Sequence, residues 1–409
     1  MGLIHRFLRA AGALALAALL AACASLPELS GIMPEPEPEP MQPVMPDFDV
    51  PRGAFFTVNA SGAYLLDDAD FGKLAGSVGY VLLGEGHSVV CDHGVQARAL
   101  RAMAAAGVPP ALGLEMVSVD KEPVLERFSR GEIPVDKLEK ALDWGKVWGF
   151  PFDLYRPVFE AAAELKLPVA ALNLPRDVVR ALSAKGLEGL TPEQAAWMPY
   201  QLVPPPPAQV ESLRAGFEMH SQFRAKDEAP DRDLERFVAV QSAWDTKMAE
   251  AAVEARNKYE RPVAILAGSG HVENGWGIAY RLLGLDPATA VLLVMPWRGD
   301  EPVDPQAGNV FFHCPETHAS RLGFTLEARD KSALVVSVAP GSAAEKAGFK
   351  AGDELVEAGG QAVDGLWSLH TAAAKAKAEG KPLTFGILRE GQRLDLSMPM
   401  DSGGPAKAE

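Results

Sequence analysis

Short apolar runs alternate with longer amphipathic stretches between about residues 55 and 300. The apolar runs, each of a length that suits a buried strand, are 81–83, 111–114, 169–172, 263–266 and 291–294. The stretches between them carry apolar residues at helical spacing, most clearly in 95–105, 158–165 and 234–255. This alternation predicts an α/β fold in which a mostly parallel sheet is covered by helices.

Polar residues follow four of the apolar runs. Glu85 and His87 come after the first run, Glu115 after the second, Asn173 after the third and His271 after the fourth. Because the carboxyl ends of parallel strands meet at one edge of a sheet, we expect these side chains to converge on a site. Glycines beside both histidines would allow a backbone to approach a ligand closely. The convergence favours a functional site over four unrelated helix caps.

Two histidines and two glutamates are ligands that suit a divalent transition metal. A catalytic site of this kind would hold the metal through His87, Glu115 and His271 and leave one position open for water. Glu85 or Glu115 would then be the general base of a hydrolase. The pair at 92–93, Asp then His, either adds a ligand, orients one, or caps the helix that follows.

Composition and charge exclude several classes of protein. The chain has 409 residues, of which 48% are hydrophobic, and a formal net charge of -15 at pH 7. The apolar fraction supports a sizeable core in two or three domains, while the negative charge argues against a nucleic-acid binder. Cys23, Cys91 and Cys314 are too few for a disulfide framework and lack CxxC spacing. Cys91 and Cys314 could pair in an oxidising compartment, but the sequence does not show that they come within reach.

The amino terminus has the pattern of an export signal. A basic start is followed by an apolar run at 8–20, which is too short to span a bilayer, and then by the letters LAAC at 20–23. This ending resembles the lipobox of bacterial lipoproteins, and the resemblance implies that Cys23 is lipidated. Ala24 stands where an Asp would mark inner-membrane retention, so we expect a cell-envelope protein anchored in the outer membrane.

Several short motifs follow one another in a fixed order over about residues 70–300. They are LGEGH at 83–87, DH at 92–93, GLEM at 113–116, ALNLPR at 171–176, QSAWD at 241–245 with MA at 248–249, and GSGHV at 268–272. In this order they resemble the ChaN-like haem-binding lipoproteins of the Tiki superfamily. The resemblance implies a lipid-anchored bacterial protein linked to haem or iron acquisition.

The resemblance also implies roles for individual residues. The Tiki branch implies metal-dependent peptidase chemistry, with His87 and His271 as the histidines of two GxxH motifs and Glu115 as the glutamate. ChaN-like proteins are thought to bind haem through an axial tyrosine, for which Tyr155 in FDLYRP is the best match. The haem-binding set is then Tyr155, His87 and His271, although Tyr155 could equally be a structural residue at a helix start. The Met- and aromatic-rich segment 197–223 could form a lid on an apolar slot or simply be part of the core.

A second folded region extends from about residue 321 to residue 400. It contains LGFT at 322–325, a β-rich run at 334–338, GSAAEKAG at 341–348 and AGDELV at 351–356. These motifs resemble the PDZ domains of bacterial envelope proteases, which implies a small β-rich α+β domain. Such a domain adds an extended peptide or a protein C-terminus to a sheet edge. The implied peptide-binding residues are Leu322, Gly323, Phe324 and Thr325; a PDZ fold that only packs on its neighbour is the alternative.

The expected domain order follows from these patterns. It is a signal peptide (1–22), a lipidated Cys with a linker rich in Pro and Glu (23–54), a ChaN-like α/β domain (55–300), a connector (301–320), a PDZ domain (321–400) and a tail (401–409).

Three functions stay open at this point. The preferred one is a haem- or iron-binding lipoprotein with a peptide-binding module, because the whole order of motifs matches that family. A metal-dependent hydrolase and a non-catalytic envelope scaffold are the alternatives. Haem is the expected cofactor and a divalent transition metal the alternative. The expected partners are the outer membrane, a haem or iron source and peptide segments, with no nucleic acid and with homodimerisation left open.

Overall fold

The computed structural model of the chain describes residues 41–221, 230–299, 301–320, 322–329 and 331–399. The expected signal peptide, the lipidated Cys23 and the expected tail lie outside the described residues. Within the described ranges, no helix is long and apolar enough to cross a lipid bilayer.

One sheet organises the larger domain. Its strands are β1 (Phe55–Asn59), β2 (Gly62–Leu66), β3 (Tyr80–Glu85), β4 (Ala111–Ser118), β5 (Val169–Asn173), β6 (Val263–Gly268), β7 (Val291–Trp297) and β8 (Val310–His313). They lie in the order β2-β1-β8-β7-β3-β6-β4-β5. The strands from β8 to β5 in this order are parallel, whereas β1 is antiparallel to β2 and β8. Each of the apolar runs lies within one parallel strand, so the predicted α/β fold is confirmed.

Helices connect these strands and cover both faces of the sheet. They are α1 (Asp68–Gly76), α2 (Val90–Ala105), α3 (Glu122–Ser129), α4 (Val135–Leu142), α5 (Trp144–Val147), α6 (Phe152–Glu164), α7 (Arg176–Lys185), α8 (Pro192–Ala195), α9 (Pro207–Ser221), α10 (Pro230–Tyr259), α11 (Ser269–Val272) and α12 (Ile278–Leu285). Short 3₁₀ turns at Val119–Lys121, Leu187–Gly189 and Glu273–Gly275 join some of them.

The central strand β3 supplies two hydrophobic cores. Its side chains alternate between faces, so Val81 and Leu83 pack with residues of α2 and α6. Tyr80 and Leu82 point the other way and pack with residues of α10 and α12. A strand covered on both faces has no polar side, which explains why the sequence shows a continuous apolar run there.

The expected linker packs partly against this domain. Val44 pairs with Val303 in an isolated β-bridge, and Val50 is buried. Part of segment 41–54 therefore packs on the α/β domain, because several of its apolar side chains join the core that contains Tyr80 and Leu82.

The expected connector 301–320 contributes to both sheets. Val310, Phe311 and Phe312 are buried in β8, which pairs in parallel with β7. Just after this strand, Cys314 forms a disulfide with Cys91 at the start of α2. The larger domain thus continues beyond residue 300, because the apolar side chains of β8 are buried only as part of the sheet.

The carboxyl-terminal domain is a second, antiparallel sheet with two helices. Its strands are β9 (Thr317–Ala319), β10 (Phe324–Arg329), β11 (Ser332–Val338), β12 (Glu354–Ala358), β13 (Gln361–Ala362), β14 (Leu383–Arg389) and β15 (Gln392–Met398). The order is β15-β14-β12-β11-β10-β9, with β13 beside β12. The helices are α13 (Ala343–Lys346) and α14 (Gly365–Glu379), and Phe324, Phe349 and Phe385 lie at the centre of the core. The predicted small β-rich α+β domain is confirmed.

Candidate functional site

The carboxyl ends of β3, β6 and β4 bring the predicted polar residues together. In the register of the parallel strands, Glu85 lies opposite Gly268. Gly268 donates its backbone N–H to Oε2 of Glu115 at 2.6 Å. His87 follows β3, and His271 lies in the short helix α11 directly after β6. The strand order, rather than the spacing along the chain, creates this cluster.

Glu85 is the centre of a buried hydrogen-bond network. Its Oε1 accepts the hydroxyl proton of Tyr155 at 2.6 Å and lies 2.9 Å from Nδ1 of His87. Its Oε2 accepts from Nε2 of Gln96 at 2.8 Å and lies 3.5 Å from Nδ1 of His93. Burial opposes the charge, but the contacts with both histidines outweigh it and hold the pKa of Glu85 well below its usual range. Such a carboxylate orients the side chains that donate to it.

His87 is the more accessible of the two motif histidines, with 28% of its side chain exposed. Burial alone would lower the pKa of His87, but the hydrogen bond to Glu85 and the charge of Glu115 raise it. The Nε2 side of the ring faces Gly268. A Cβ atom at Gly268 would lie 2.9 Å from Nε2 and 2.8 Å from Cε1, so only glycine leaves room for this ring.

His271 is held between two carboxylates. Its Nδ1 lies 2.6 Å from Oδ1 of Asp245, and its Nε2 lies 3.7 Å from Oε1 of Glu115. Burial opposes the charge, but Glu115 and Asp245 raise the pKa of His271 to about 9. Asp245 is itself buried and accepts from Nε2 of Gln209 at 2.8 Å, while Arg281 lies 3.6 Å away. His271 is therefore an imidazolium at neutral pH.

The predicted metal ligands lie together, but they do not form a metal-binding group. No three His, Cys, Asp or Glu side chains within the described ranges are arranged to hold a metal ion. Both ring nitrogens of His271 face carboxylates, at 2.6 Å from Asp245 and 3.7 Å from Glu115. In this arrangement the residues form a network of charged groups.

Tyr155 lies in the same network but not on a surface. Only 1% of it is exposed, and its hydroxyl accepts from Nε1 of Trp148 at 3.1 Å while donating to Glu85. Burial and the charge of Glu85 raise the pKa of Tyr155 far above its ordinary value. The phenolate form is thereby disfavoured. The alternative interpretation, a structural tyrosine near a helix start, describes this placement.

The Asp92–His93 pair orients the loop that carries His87. Asp92 accepts a hydrogen bond from the backbone N–H of Gly86 at 2.8 Å. It also forms a bidentate ion pair with Arg298, whose two terminal nitrogens donate to Oδ1 at 2.9 Å and to Oδ2 at 2.8 Å. Helix α2 begins after Val89 without a side-chain cap, so the capping interpretation does not describe this helix. Asn173, the fourth strand-end residue, donates to the backbone oxygen of Glu115 at 2.9 Å.

Sequence reasoning overlooked two supporting residues. Arg298 follows the apolar run of β7, so the rule that identified the other strand-end residues could have found it. Asp245 lies within the QSAWD motif, where its spacing from His271 along the chain gives no sign of their contact.

A cavity of about 300 Å³ opens beside Glu115 at this edge of the sheet. Its apolar walls are Met116, Val147, Trp148, Leu174, Val179 and Trp244, and its polar lining comprises Glu115, Ser118, Gly149, Asn173, Arg176 and Arg180. Trp148 also contacts the ring of His87, with centroids 5.0 Å apart. None of the residues of the expected lid 197–223 whose side chains the structure describes lines this cavity. The structure does not describe the side chains of residues 219–232.

The predicted peptide-binding residues lie at the start of β10. Leu322 and Gly323 form the turn before the strand, and Phe324 and Thr325 begin it. Gly323 has a φ of 96°, and a Cβ atom there would collide with Ser342. The turn therefore requires glycine at this position.

Comparison with known proteins agrees with both domains. A family described as haem-binding uptake, Tiki superfamily, ChaN matches residues 73–282, and the PDZ domain family matches residues 320–400. No curated protein matches the chain.

Several solved structures are similar to parts of the chain. A structure of cofacial haem binding to ChaN of Campylobacter jejuni is 19% identical, with a TM-score of 0.51, and the match covers 63% of this chain and 96% of that one. The PDZ domain of HtrA3 bound to a phage-derived ligand is 21% identical over 20% of this chain and 88% of that one, with a TM-score of 0.17. An erythromycin esterase in its open conformation is 13% identical over 63% of this chain and 82% of that one, with a TM-score of 0.36. The first family matches just over half of the chain, and the match includes the motifs at the ends of the strands. The protein therefore belongs to the ChaN haem-binding uptake family of the Tiki superfamily, and a PDZ domain follows.

Proposed function

We propose that this is a lipid-anchored envelope protein that binds haem at the carboxyl edge of its α/β sheet, takes part in haem or iron uptake, and binds peptide segments through its PDZ domain. The observation that carries the proposal is the cavity beside Glu115, which combines apolar walls with two arginines. Its volume, about 300 Å³, lies at the lower end of the range of small-molecule sites.

The lining of this cavity fits the chemistry of haem. Trp148 and Trp244 supply flat apolar surface of the kind that packs against a porphyrin. Arg176 and Arg180 would pair with the two propionate carboxylates, because a guanidinium presents its donors in a fork that matches a carboxylate. When bound, haem would supply an iron that coordinates a side chain of the protein.

His87 is the residue that would best hold this iron. An imidazole that donates its Nδ1–H to a carboxylate keeps its Nε2 lone pair for a metal and is fixed in orientation. His87 lies 2.9 Å from Glu85 through Nδ1 and contacts the cavity wall at Trp148. Tyr155 is less suitable because its hydroxyl is donated to Glu85, and His271 is less suitable because both of its nitrogens face carboxylates.

A haemin titration of the lipid-free form that begins at residue 24, followed by absorption spectroscopy, tests this assignment. We expect a saturable Soret shift at fixed stoichiometry, weakened at least about tenfold in His87→Ala and retained in Tyr155→Phe, because His87 is the proposed iron-binding residue and Tyr155 is not. Serum albumin controls for nonspecific binding. A spectrum changed by Tyr155→Phe but not by His87→Ala would reverse the assignment, and albumin-like binding would contradict the haem proposal.

The lipid anchor and the outer-membrane location rest on the lipobox ending at Cys23 and on Ala24. Cys23→Ala should abolish incorporation of labelled palmitate and release the protein from the membrane fraction. A variant that stays in that fraction would contradict the anchor.

A hydrolase is the second candidate function, and one observation favours it. Asp245 orients His271, whose Nε2 faces Glu115 at 3.7 Å, an arrangement suited to proton transfer at a substrate in the cavity. Hydrolysis of ester or peptide substrates that is lost in Glu115→Gln would support this function. The absence of turnover across such substrates would leave haem binding as the role of the site.

A further inference from the structure

The edge of β10 that a PDZ domain offers to a peptide is covered by the chain itself. Strand β9 pairs with β10 in antiparallel register, with Thr317 opposite Glu327, His318 opposite Leu326 and Ala319 opposite Thr325. The pairing continues on both sides of β9. Ala328 donates to the backbone oxygen of Glu316 at 2.8 Å, and Ser320 donates to that of Phe324 at 2.8 Å. The other edge of β10 is occupied by β11, so no edge of this strand remains open.

Strand β9 also reaches the groove between β10 and α14, where PDZ domains hold ligand side chains. A small cavity of about 50 Å³ remains there, lined by His318, Ser320, Leu322, Phe324, Leu326, Leu369, His370, Ala373, Leu383 and Phe385. The ring of His318 on β9 meets that of His370 on α14, with centroids 4.9 Å apart. The space that remains is too small for a further strand with its side chains.

The backbone N–H groups of the turn before β10 are likewise engaged. Leu322 donates to Oγ of Ser320 at 3.1 Å, and Gly323 donates to the backbone oxygen of Ser320 at 2.9 Å. In a peptide complex these are the donors that would receive a terminal carboxylate. Residue 320 therefore occupies the place of a peptide C-terminus.

We infer that β9 is a built-in occupant of the PDZ groove and that an extended peptide binds there only after β9 has left. The inference rests on the proposed peptide-binding function and adds its regulation. A peptide and β9 compete for the same backbone donors and acceptors of β10, since both would run antiparallel to it.

The strand is held near the groove by a short tether. Cys314 is disulfide-bonded to Cys91, and its backbone oxygen accepts from Arg298 at 2.9 Å. Only two residues separate Cys314 from β9. A tethered segment has a high effective concentration, so β9 competes strongly in spite of its short length.

A pair of substitutions at one position tests the inference in the full mature chain. Alternate residue pairs in an antiparallel ladder are hydrogen-bonded, and the bond at Ala328 and Glu316 places the pair His318 and Leu326 in that class. His318→Pro removes the donor and should free the groove, whereas His318→Val, the matched control, keeps the donor and favours a strand. A fluorescent library of peptides with free C-termini should bind His318→Pro at least about tenfold more tightly than the wild type or His318→Val.

A second variant, called the locked variant, should close the groove to peptides by fixing β9 to β10. Thr325 and Ala319 form a pair that is not hydrogen-bonded, with Cα atoms expected about 4.5 Å apart, so cysteines at both positions can form a disulfide. The double variant Thr325→Cys with Ala319→Cys should lose any residual peptide binding, whereas Ala319→Cys alone should not.

Amide hydrogen exchange separates the inference from the peptide-binding proposal. The amides of Leu326 and Ala328 should be protected in the wild type and in His318→Val and should exchange rapidly in His318→Pro. Rapid exchange in the wild type, or equal peptide binding by the wild type, His318→Pro and the locked variant, would overturn the inference. If no variant binds any peptide while the exchange pattern is as expected, β9 is still the occupant and the peptide-binding function is wrong.

Discussion

Gly268 illustrates at the residue scale how tightly the site is packed. Its N–H donates to Glu115, and the ring of His87 lies against the position where a side chain would begin. The second glycine of the same motif, Gly270, is exposed, and a Cβ atom there would have no neighbouring atom within 4 Å. The two glycines of the GSGH motif thus differ in their surroundings although the sequence presents them alike.

Gly268→Ala should therefore disturb the site, whereas Gly270→Ala should not. We expect Gly268→Ala to lower the free energy of unfolding by about 1–3 kcal/mol, the usual cost of overpacking, and to weaken haemin binding by displacing His87. Gly270→Ala, at an exposed position of a short helix, should be neutral or slightly stabilising. Denaturant unfolding and haemin titration measure both effects, and equal behaviour of the two variants would contradict the close approach of His87 to Gly268.

Strand β8 shows at the element scale why the sheet extends beyond the expected domain boundary. Residues 301–320 were expected to be a connector, yet Val310–His313 form a strand that is parallel to β7 and antiparallel to β1. Phe312 on this strand is fully buried in the same core as Leu83. A strand this short gives almost no periodic signal, so its partners in the sheet, rather than its own pattern, determine its structure.

Phe312→Ala should destabilise the α/β domain strongly. Removing a fully buried phenylalanine costs about 3–5 kcal/mol, because it loses apolar contacts and leaves a cavity. Leu65→Ala, at an exposed position of β2, is the matched control and should change the free energy of unfolding by less than about 0.5 kcal/mol. A small effect of Phe312→Ala in urea unfolding would mean that residues 310–313 act as a free connector.

The buried charges of the site make the stability of the whole molecule depend on pH. The pKa values of His87, His93 and His271 are raised by their carboxylate partners, that of His271 to about 9. A raised histidine pKa stabilises the folded state below about pH 6.5, where the unfolded chain is also protonated, and this contribution is lost as the pH rises through the folded-state pKa. Glu85, whose pKa is lowered, contributes stability above about pH 4.5 that is lost on acidification.

The free energy of unfolding should consequently fall between about pH 6.5 and pH 9, and fall again below about pH 4.5. Asp245→Asn should flatten the alkaline part of this profile, because it removes one carboxylate that raises the pKa of His271. Asp136→Asn, at an exposed ion pair with Arg156, should leave the profile unchanged. A wild-type profile that is flat from pH 6.5 to pH 9 would contradict the charged state of His271.

The sequence by itself determined the alternation of strands and helices, the residues at the strand ends and the two families, because burial on both faces and tight turns leave local patterns. It also predicted that Glu85, His87, Glu115 and His271 would converge, since parallel strands end at one edge. Only the tertiary structure decided what these residues do to one another. Asp245 beside His271, Tyr155 donating to Glu85, and the bond between Cys91 and Cys314 are all contacts between segments distant in sequence. Strand β9 is close to β10 in sequence, but it is too short to leave a periodic pattern. Such contacts depend on the order of the strands in the sheet and on the path of the chain between them. No local sequence pattern encodes that order.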